Sequence, residues 1–207
     1  MAHLLAPVFA RHREYLLRAP YLTNSVQGGT LMALGDVFAQ YLERRSTGSE
    51  SYKPSRTLIL ASWASLASAP FWVWFYRFLN RRFPGRTITW VAMSAALSPA
   101  WNGAFFSYST AATHVVDEGF LNTLSGDGLA HLGTKVRSKL ETQLFPTVQR
   151  SLALWIPFNF VNFRYVHLDY RTLTGSTVAL AWNVFLSMQA ASEKSTSHAV
   201  EPPQRIV

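Results

Sequence analysis

An all-α polytopic transmembrane bundle of about four spans, with kinked or split helices and one amphipathic surface helix, is the fold class this sequence predicts. Three observations carry it. Hydrophobic residues fill 49% of the 207 positions and charged residues only 14%, against about 25% in a soluble domain. The apolar residues gather in four or five long runs flanked by basic clusters. Seven Trp and eight Tyr supply the rings that collect where hydrocarbon meets headgroups. One domain is the default at this length. It is placed at residues 1–191, and the polar tail 192–207, with its proline pair, is expected to be disordered.

The N-terminal MAHLLAPVFARHREYLLRAP is arginine-rich with one acid, Glu14, the composition of a mitochondrial presequence. The first apolar run, Thr23–Tyr41, ends before Glu43, Arg44 and Arg45, and its 19 residues can cross about 30 Å of hydrocarbon. Leu58–Leu79 is the second. Pro84 and Gly85 then turn the chain into a third that begins near Ile88. The third is longer than a membrane needs, so Pro99 is expected to kink or split it. Next, Leu129, Leu132, Val136, Leu140 and Leu144 recur at three and four residues, opposite Lys135, Arg137, Lys139 and Glu141. An amphipathic helix on the bilayer surface fits this spacing, and so does a helix packed on the bundle. Leu152–Leu168 and Ser176–Ala191 complete the series.

Small residues matter inside a membrane because they let backbones approach. Ala92, Ala96, Ala100 and Ala104 repeat every four residues around Pro99, and Ala61, Ser65 and Ala69 repeat likewise on the second run. These faces predict close packing of the second and third runs. On the first run, Gly29, Ala33, Asp36 and Gln40 share one helical face. A carboxylate at a helix centre costs about 2.5–3.5 kcal/mol on insertion scales and seldom faces lipid. Asp36 therefore needs a partner, protonation or water. Arg171 is the preferred partner, ahead of Arg77 and Arg164. Trp155, Asn159, Asn162 and Val166 form a second polar seam. Two readings stay open: Asp36, Gln40, Asn159 and Asn162 line a pore, with Arg171 as counter-charge, or they are interhelical glue that sets register.

The net charge of +8 raises nucleic-acid binding, but the basic residues flank apolar runs instead of pooling on one stripe. That placement suits anionic headgroups. No cysteine is present, which removes disulfides and thiolate metal sites. The sequence holds no Walker loop, no G-x-S-x-G, no G-x-G-x-x-G and no H-E-x-x-H. His114 with Asp117 and Glu118 reads as a solvated helix end. No enzyme activity, cofactor, metal or nucleic-acid partner is expected.

Three blocks resemble the family of the twenty-two-kilodalton peroxisomal membrane protein and Mpv seventeen. They are LGDVFAQYLERR, which contains Gly35; PFWVWFYRFLNRRFPG; and the C-terminal signature Trp155, Asn159, Asn162-Phe163, Arg171, Trp182 and Leu186-Ser187. Phe9, His12, Leu16, Pro20 and Thr23 match the family's N-terminal pattern, so this segment is expected to belong to the mature domain. The chain also departs from the pattern. Met93-Ser94 stands where the family has an Asp-Gln pair, Pro157 is displaced, and His167 replaces a proline. The resemblance implies about four spans in the mitochondrial inner membrane, or alternatively the peroxisomal membrane. It also implies a conduit for small solutes tied to organelle homeostasis and mitochondrial DNA maintenance. The alternative is a non-conducting membrane scaffold. The implied partners are membrane lipids and small-molecule solutes, with homo-oligomerisation left open.

Overall fold

Within the described residues the apolar runs fold as helices, although the helix of the Leu152–Leu168 run already ends at Tyr165. The computed structural model describes residues 2–47 and 51–184, with side chains over 10–45 and 51–184. Its elements are α1 (Ala2–Arg18), α2 (Pro20–Thr47), α3 (Pro54–Arg82), α4 (Thr87–Glu118), α5 (Gly126–Tyr165) and α6, helical over 171–184. A helical turn, Phe120–Thr123, joins α4 to α5, and a 3₁₀ turn, Leu168–Tyr170, joins α5 to α6. No strand occurs among the described residues. Leu186, Ser187 and the tail 192–207 lie outside them, as does the side chain of Phe9.

Prolines and glycines set the helix boundaries. Pro20 and Pro54 open α2 and α3, where a missing N–H costs nothing. Within α3, residues Trp63–Ser68 widen into a π-helix, and the Ala69 N–H reaches back five residues to the Ala64 carbonyl. Pro70 follows at once. Its ring would collide with the carbonyl four residues earlier in a regular α-helix, and the wider turn relieves that crowding. The third run is not split at Pro99, which lies inside the continuous α4; the π-helical turn falls in the second run instead. Gly85 (φ 71°) and Gly119 (φ 87°) take left-handed backbone at the ends of α3 and α4. Trp90 Nε1 closes the α3–α4 turn by donating to the Phe83 carbonyl at 2.8 Å.

The 40 residues of α5, about 60 Å at 1.5 Å per residue, run antiparallel along α4. His131 stacks on His114 at 5.6 Å, Lys139 lies over the Phe106 ring at 5.4 Å, and Phe163 meets Trp90 edge-on at 5.7 Å. The expected amphipathic surface helix is therefore the first half of α5, packed on the bundle. Leu132, Val136, Leu140 and Leu144 are half-buried, and Ser125 Oγ caps the helix by accepting from the Gly128 N–H at 3.0 Å.

Burial is inverted relative to a water-soluble domain. Among the described residues, twelve polar or charged side chains are buried against ten hydrophobic ones. Large apolar side chains such as Leu34, Leu58, Leu66, Trp74, Ile88, Phe145 and Val161 are exposed. Such an exterior suits lipid. By length and composition, one helical run among the described residues, Pro54–Arg82, is apolar enough to cross a membrane. The expectation of about four crossings is met in that strict sense once.

The packing of α2 rests on its glycines. A Cβ at Gly29 would run into Ser65 Oγ and come within 3.4 Å of the Ala61 carbonyl oxygen; one at Gly35 would lie 2.9 Å from Leu180 Cγ. Ala33, on the same stripe, is half-buried. Ala61, Ser65 and Ala69 therefore pack against α2. Ala92, Ala96, Ala100 and Ala104 do not form the expected interface, because all four are exposed, with Pro99 beside them. The inward face of α4 belongs to Trp90, Ser94, Ser98 and Trp101, whose bulk and hydrogen-bonding groups fill the interior; the alanines, on the opposite side, face out. Gly29→Val is expected to lower stability in detergent by about 2 kcal/mol through overpacking. Gly29→Ala should cost less, and adding Ser65→Ala should recover most of that loss; no recovery would refute the close approach.

Candidate functional site

Asp36 sits at the centre of a clamp between α2 and the start of α3. Its side chain is 1% exposed, and Arg56 Nε meets Oδ1 at 2.9 Å. Thr57 Oγ1 and Gln40 Nε2 donate to Oδ2 at 2.6 and 2.7 Å. The Arg56 guanidinium reaches on to Glu43 at 2.9 Å, and Gln40 Oε1 accepts from the Lys53 N–H at 2.8 Å. The costliest residue of the first run is thus held by Arg56 and Thr57 in the first turn of α3 and by Gln40 of its own helix, Oδ1 through the ion pair alone. Its partner is Arg56, not the expected Arg171. Arg56 lies 20 residues downstream, across the α2–α3 connection, in the basic flank of the second run that the sequence assigns to headgroups.

Arg171 does different work at another corner. Buried at the start of α6, it donates through Nε to the Val166 carbonyl at 3.0 Å and through Nη2 to the Phe163 carbonyl at 3.1 Å. These carbonyls end α5, where no further turn of helix can satisfy them and the helix dipole favours a cation. The guanidinium lies 4.9 Å from the Trp90 ring centre and 5.6 Å from that of Phe163. Asn162 returns a bond from Nδ2 to the Arg171 carbonyl at 3.3 Å. Asn162 and Arg171 are therefore brought together as a helix-end lock on the aromatic core of Phe75, Tyr76, Leu79, Trp90 and Phe163.

Between these two clamps lies a cavity of about 360 Å³, within the size range of small-molecule sites. Every helix from α2 to α6 contributes to it. Ser94, Ser98 and Asn102 face it from α4, and Gln143, Thr147, Ser151, Trp155 and Asn159 from α5, each series at four-residue spacing. Thr172, Ser176 and Trp182 enter from α6, and Trp63, Trp72 and Tyr76 from α3. Among the described residues, no charged side chain lines it. Asn159 is buried, and its carboxamide oxygen has no hydrogen-bond partner among the described residues, so the wall offers an acceptor that a bound solute could use.

Of the five sequence candidates for a polar conduit, only Asn159 reaches this cavity; Asp36, Gln40, Asn162 and Arg171 are structural clamps at either side. Trp155 and Trp182 line the cavity, whereas Phe163 belongs to the core. Sequence reasoning passed over the hydroxyl ladders of α4 and α5. Their signal was present as Ser94, Ser98, Asn102 and as Gln143, Thr147, Ser151, all four residues apart, but isolated Ser and Thr in helices more often bond their own backbone. Ser94 does so too, donating to the Trp90 carbonyl at 2.8 Å.

A helical bundle that buries amides and hydroxyls around a cavity and turns its large apolar side chains outward is a helical membrane protein by class. Residues 129–187 match the model of the Mpv17 / PMP22 family. Among curated relatives, Protein SYM1 of Mycosarcoma maydis is 32% identical over 84% of this chain and 81% of its own. Mitochondrial inner membrane protein Mpv17 of Bos taurus is 30% identical over 86% and 95%, and Peroxisomal membrane protein 2 of Bos taurus is 26% identical over 81% and 82%. No solved structure matches the chain. The chain belongs to the Mpv17 / PMP22 family.

Proposed function

We propose that this protein is an organelle-membrane conduit for small uncharged solutes, working in the mitochondrial inner membrane, with the peroxisomal membrane as the alternative. Helices α2 to α6 supply about four crossings, and the central cavity is the solute site. The observation that supports this reading is the cavity's uncharged wall of hydroxyls, carboxamides and indoles, with the unpartnered Asn159 oxygen among them. A charged solute would lose its hydration there without gaining a counter-ion. The departure Met93-Ser94 fits this preference: Ser94 stands on the cavity wall and Met93 packs against the aromatic core, so the family's acid is missing from this region. The name of the Bos taurus relative, Mitochondrial inner membrane protein Mpv17, supports the mitochondrial placement. A non-conducting scaffold is the second reading, favoured by the structural roles of Asp36 and Arg171.

Reconstituted vesicles separate the two readings. Wild-type protein should pass glycerol or erythritol faster than chloride or succinate. Ala179→Trp, which fills the cavity from α6, should cut polyol flux about tenfold or more, with helix content unchanged by circular dichroism. Absence of any wild-type flux would favour the scaffold, and undiminished flux in a folded Ala179→Trp variant would remove the cavity from the path.

A further inference from the structure

A second concave site lies on the outside of the bundle, at the end of α3. It encloses about 300 Å³ and is lined by Tyr21, Trp74, Arg77, Phe78, Arg81 and Arg82. Trp74 and Phe78 are exposed and stacked at 5.7 Å, and the Arg77 guanidinium lies 5.9 Å from the Tyr21 ring centre. Three arginines therefore line this site, with no carboxylate among the described lining residues. On the far side of Arg77, Asp169 borders the same small void as that arginine and is engaged with His167 at 3.2 Å. Arg81 and Arg82 occupy the last turn of α3, so part of their role is to complement the helix dipole. That role accounts neither for Arg77, a full turn further in, nor for two large aromatic rings held open beside the arginines.

We infer that this groove binds the phosphate headgroup of an anionic phospholipid. The guanidiniums form charge-assisted bonds to the phosphate oxygens, and the Trp74–Phe78 stack supports the first carbons of the acyl chains. Guanidinium forks match phosphate geometry. Tryptophan and tyrosine sit at the headgroup level, and the turn at Pro84-Gly85 places the end of α3 at a membrane face. This site rests on the membrane placement proposed above and is independent of conduction through the cavity, so a failed flux assay leaves it standing.

Trp74 provides the readout. The protein is reconstituted in phosphatidylcholine vesicles that hold a small fraction of either acyl-brominated phosphatidylglycerol or acyl-brominated phosphatidylcholine. Bromine quenches adjacent indole fluorescence. The anionic lipid should be enriched at Trp74 about fivefold for each arginine engaged, seen as quenching in excess of that by the brominated zwitterionic lipid. The excess should vanish in Trp74→Phe and in Arg77→Gln/Arg81→Gln, and persist in Arg44→Gln/Arg45→Gln, where only general surface charge is lowered. Equal quenching of the wild type by both lipids would overturn the site, whatever the variants do. So would an excess that survives in a folded Arg77→Gln/Arg81→Gln protein. Millimolar inorganic phosphate should leave the excess intact; abolition by phosphate would assign the groove to a free anion and overturn the lipid reading.

Discussion

Arg56→Gln is expected to lower the unfolding free energy in detergent by about 3 kcal/mol, because it strands a buried carboxylate between helices. Asp36 is 1% exposed, whereas Arg56 is about a third exposed. Water can therefore rehydrate the arginine's surroundings more easily than the acid's, and removing the arginine should hurt more than neutralising the acid. Asp36→Asn should cost about 1–2 kcal/mol, since a carboxamide retains an acceptor for Thr57 or Gln40 and loses only the charge-assisted part. The double variant should cost clearly less than the sum of the two, because each substitution removes the reason for the other's penalty. Denaturation followed by tryptophan fluorescence measures all three. Additive losses would show that Arg56 and Asp36 do not act as a pair. Polyol flux in folded Asp36→Asn should match wild type, which is the opposite of what a pore-lining carboxylate would give.

Arg171→Leu is expected to have an effect of similar size, about 3 kcal/mol, for a different physical reason. The substitution leaves the Phe163 and Val166 carbonyls at the end of α5 without their donor, removes the cation from the faces of Trp90 and Phe163, and releases the bond that Asn162 makes to the Arg171 backbone only if the turn itself moves. Arg171→Lys keeps the charge but replaces a planar fork with a point donor that cannot serve both carbonyls and both rings at once, so roughly half the loss should remain. Denaturation profiles for the two variants, together with the emission wavelength of Trp90, check this. A lysine variant as stable as wild type would show that charge near the helix end suffices and that the fork and the rings contribute little.

These two clamps also show where sequence reasoning reached its limit. The buried polar character of Asp36, Gln40, Asn159 and Asn162 was legible because an amide or carboxylate in an apolar run has few places to go. All four are buried. Their grouping was not legible. Helical periodicity says which residues share a face of one helix, but not which helix meets that face or at what height. Asp36 and Asn162 both point inward, yet they answer to different partners. Arg56 was overlooked because it sits in the first turns of α3, in the basic flank that the sequence assigns to headgroups. The alanine stripe failed on the same ground: four small residues in register define a smooth face, and the neighbour that meets it depends on what the opposite face must do. In α4 that opposite face carries the tryptophans and serines that build the interior.

The sequence by itself determined the helical class, the family and the apolar exterior, because composition, run length and the Trp155–Ser187 signature are properties of the chain read locally. The tertiary structure alone decided that the polar residues divide into two clamps and a neutral cavity, and that an arginine and tryptophan groove stands outside them. The physical reason is that a buried charge or amide is satisfied by whatever donor or acceptor three-dimensional packing brings within about 3 Å. Gln40 reaches Asp36 from one turn along the same helix, but the other partners come from other helices, 9 residues away for Asn162 and Arg171 and 21 for Asp36 and Thr57, at spacings that no helical period encodes.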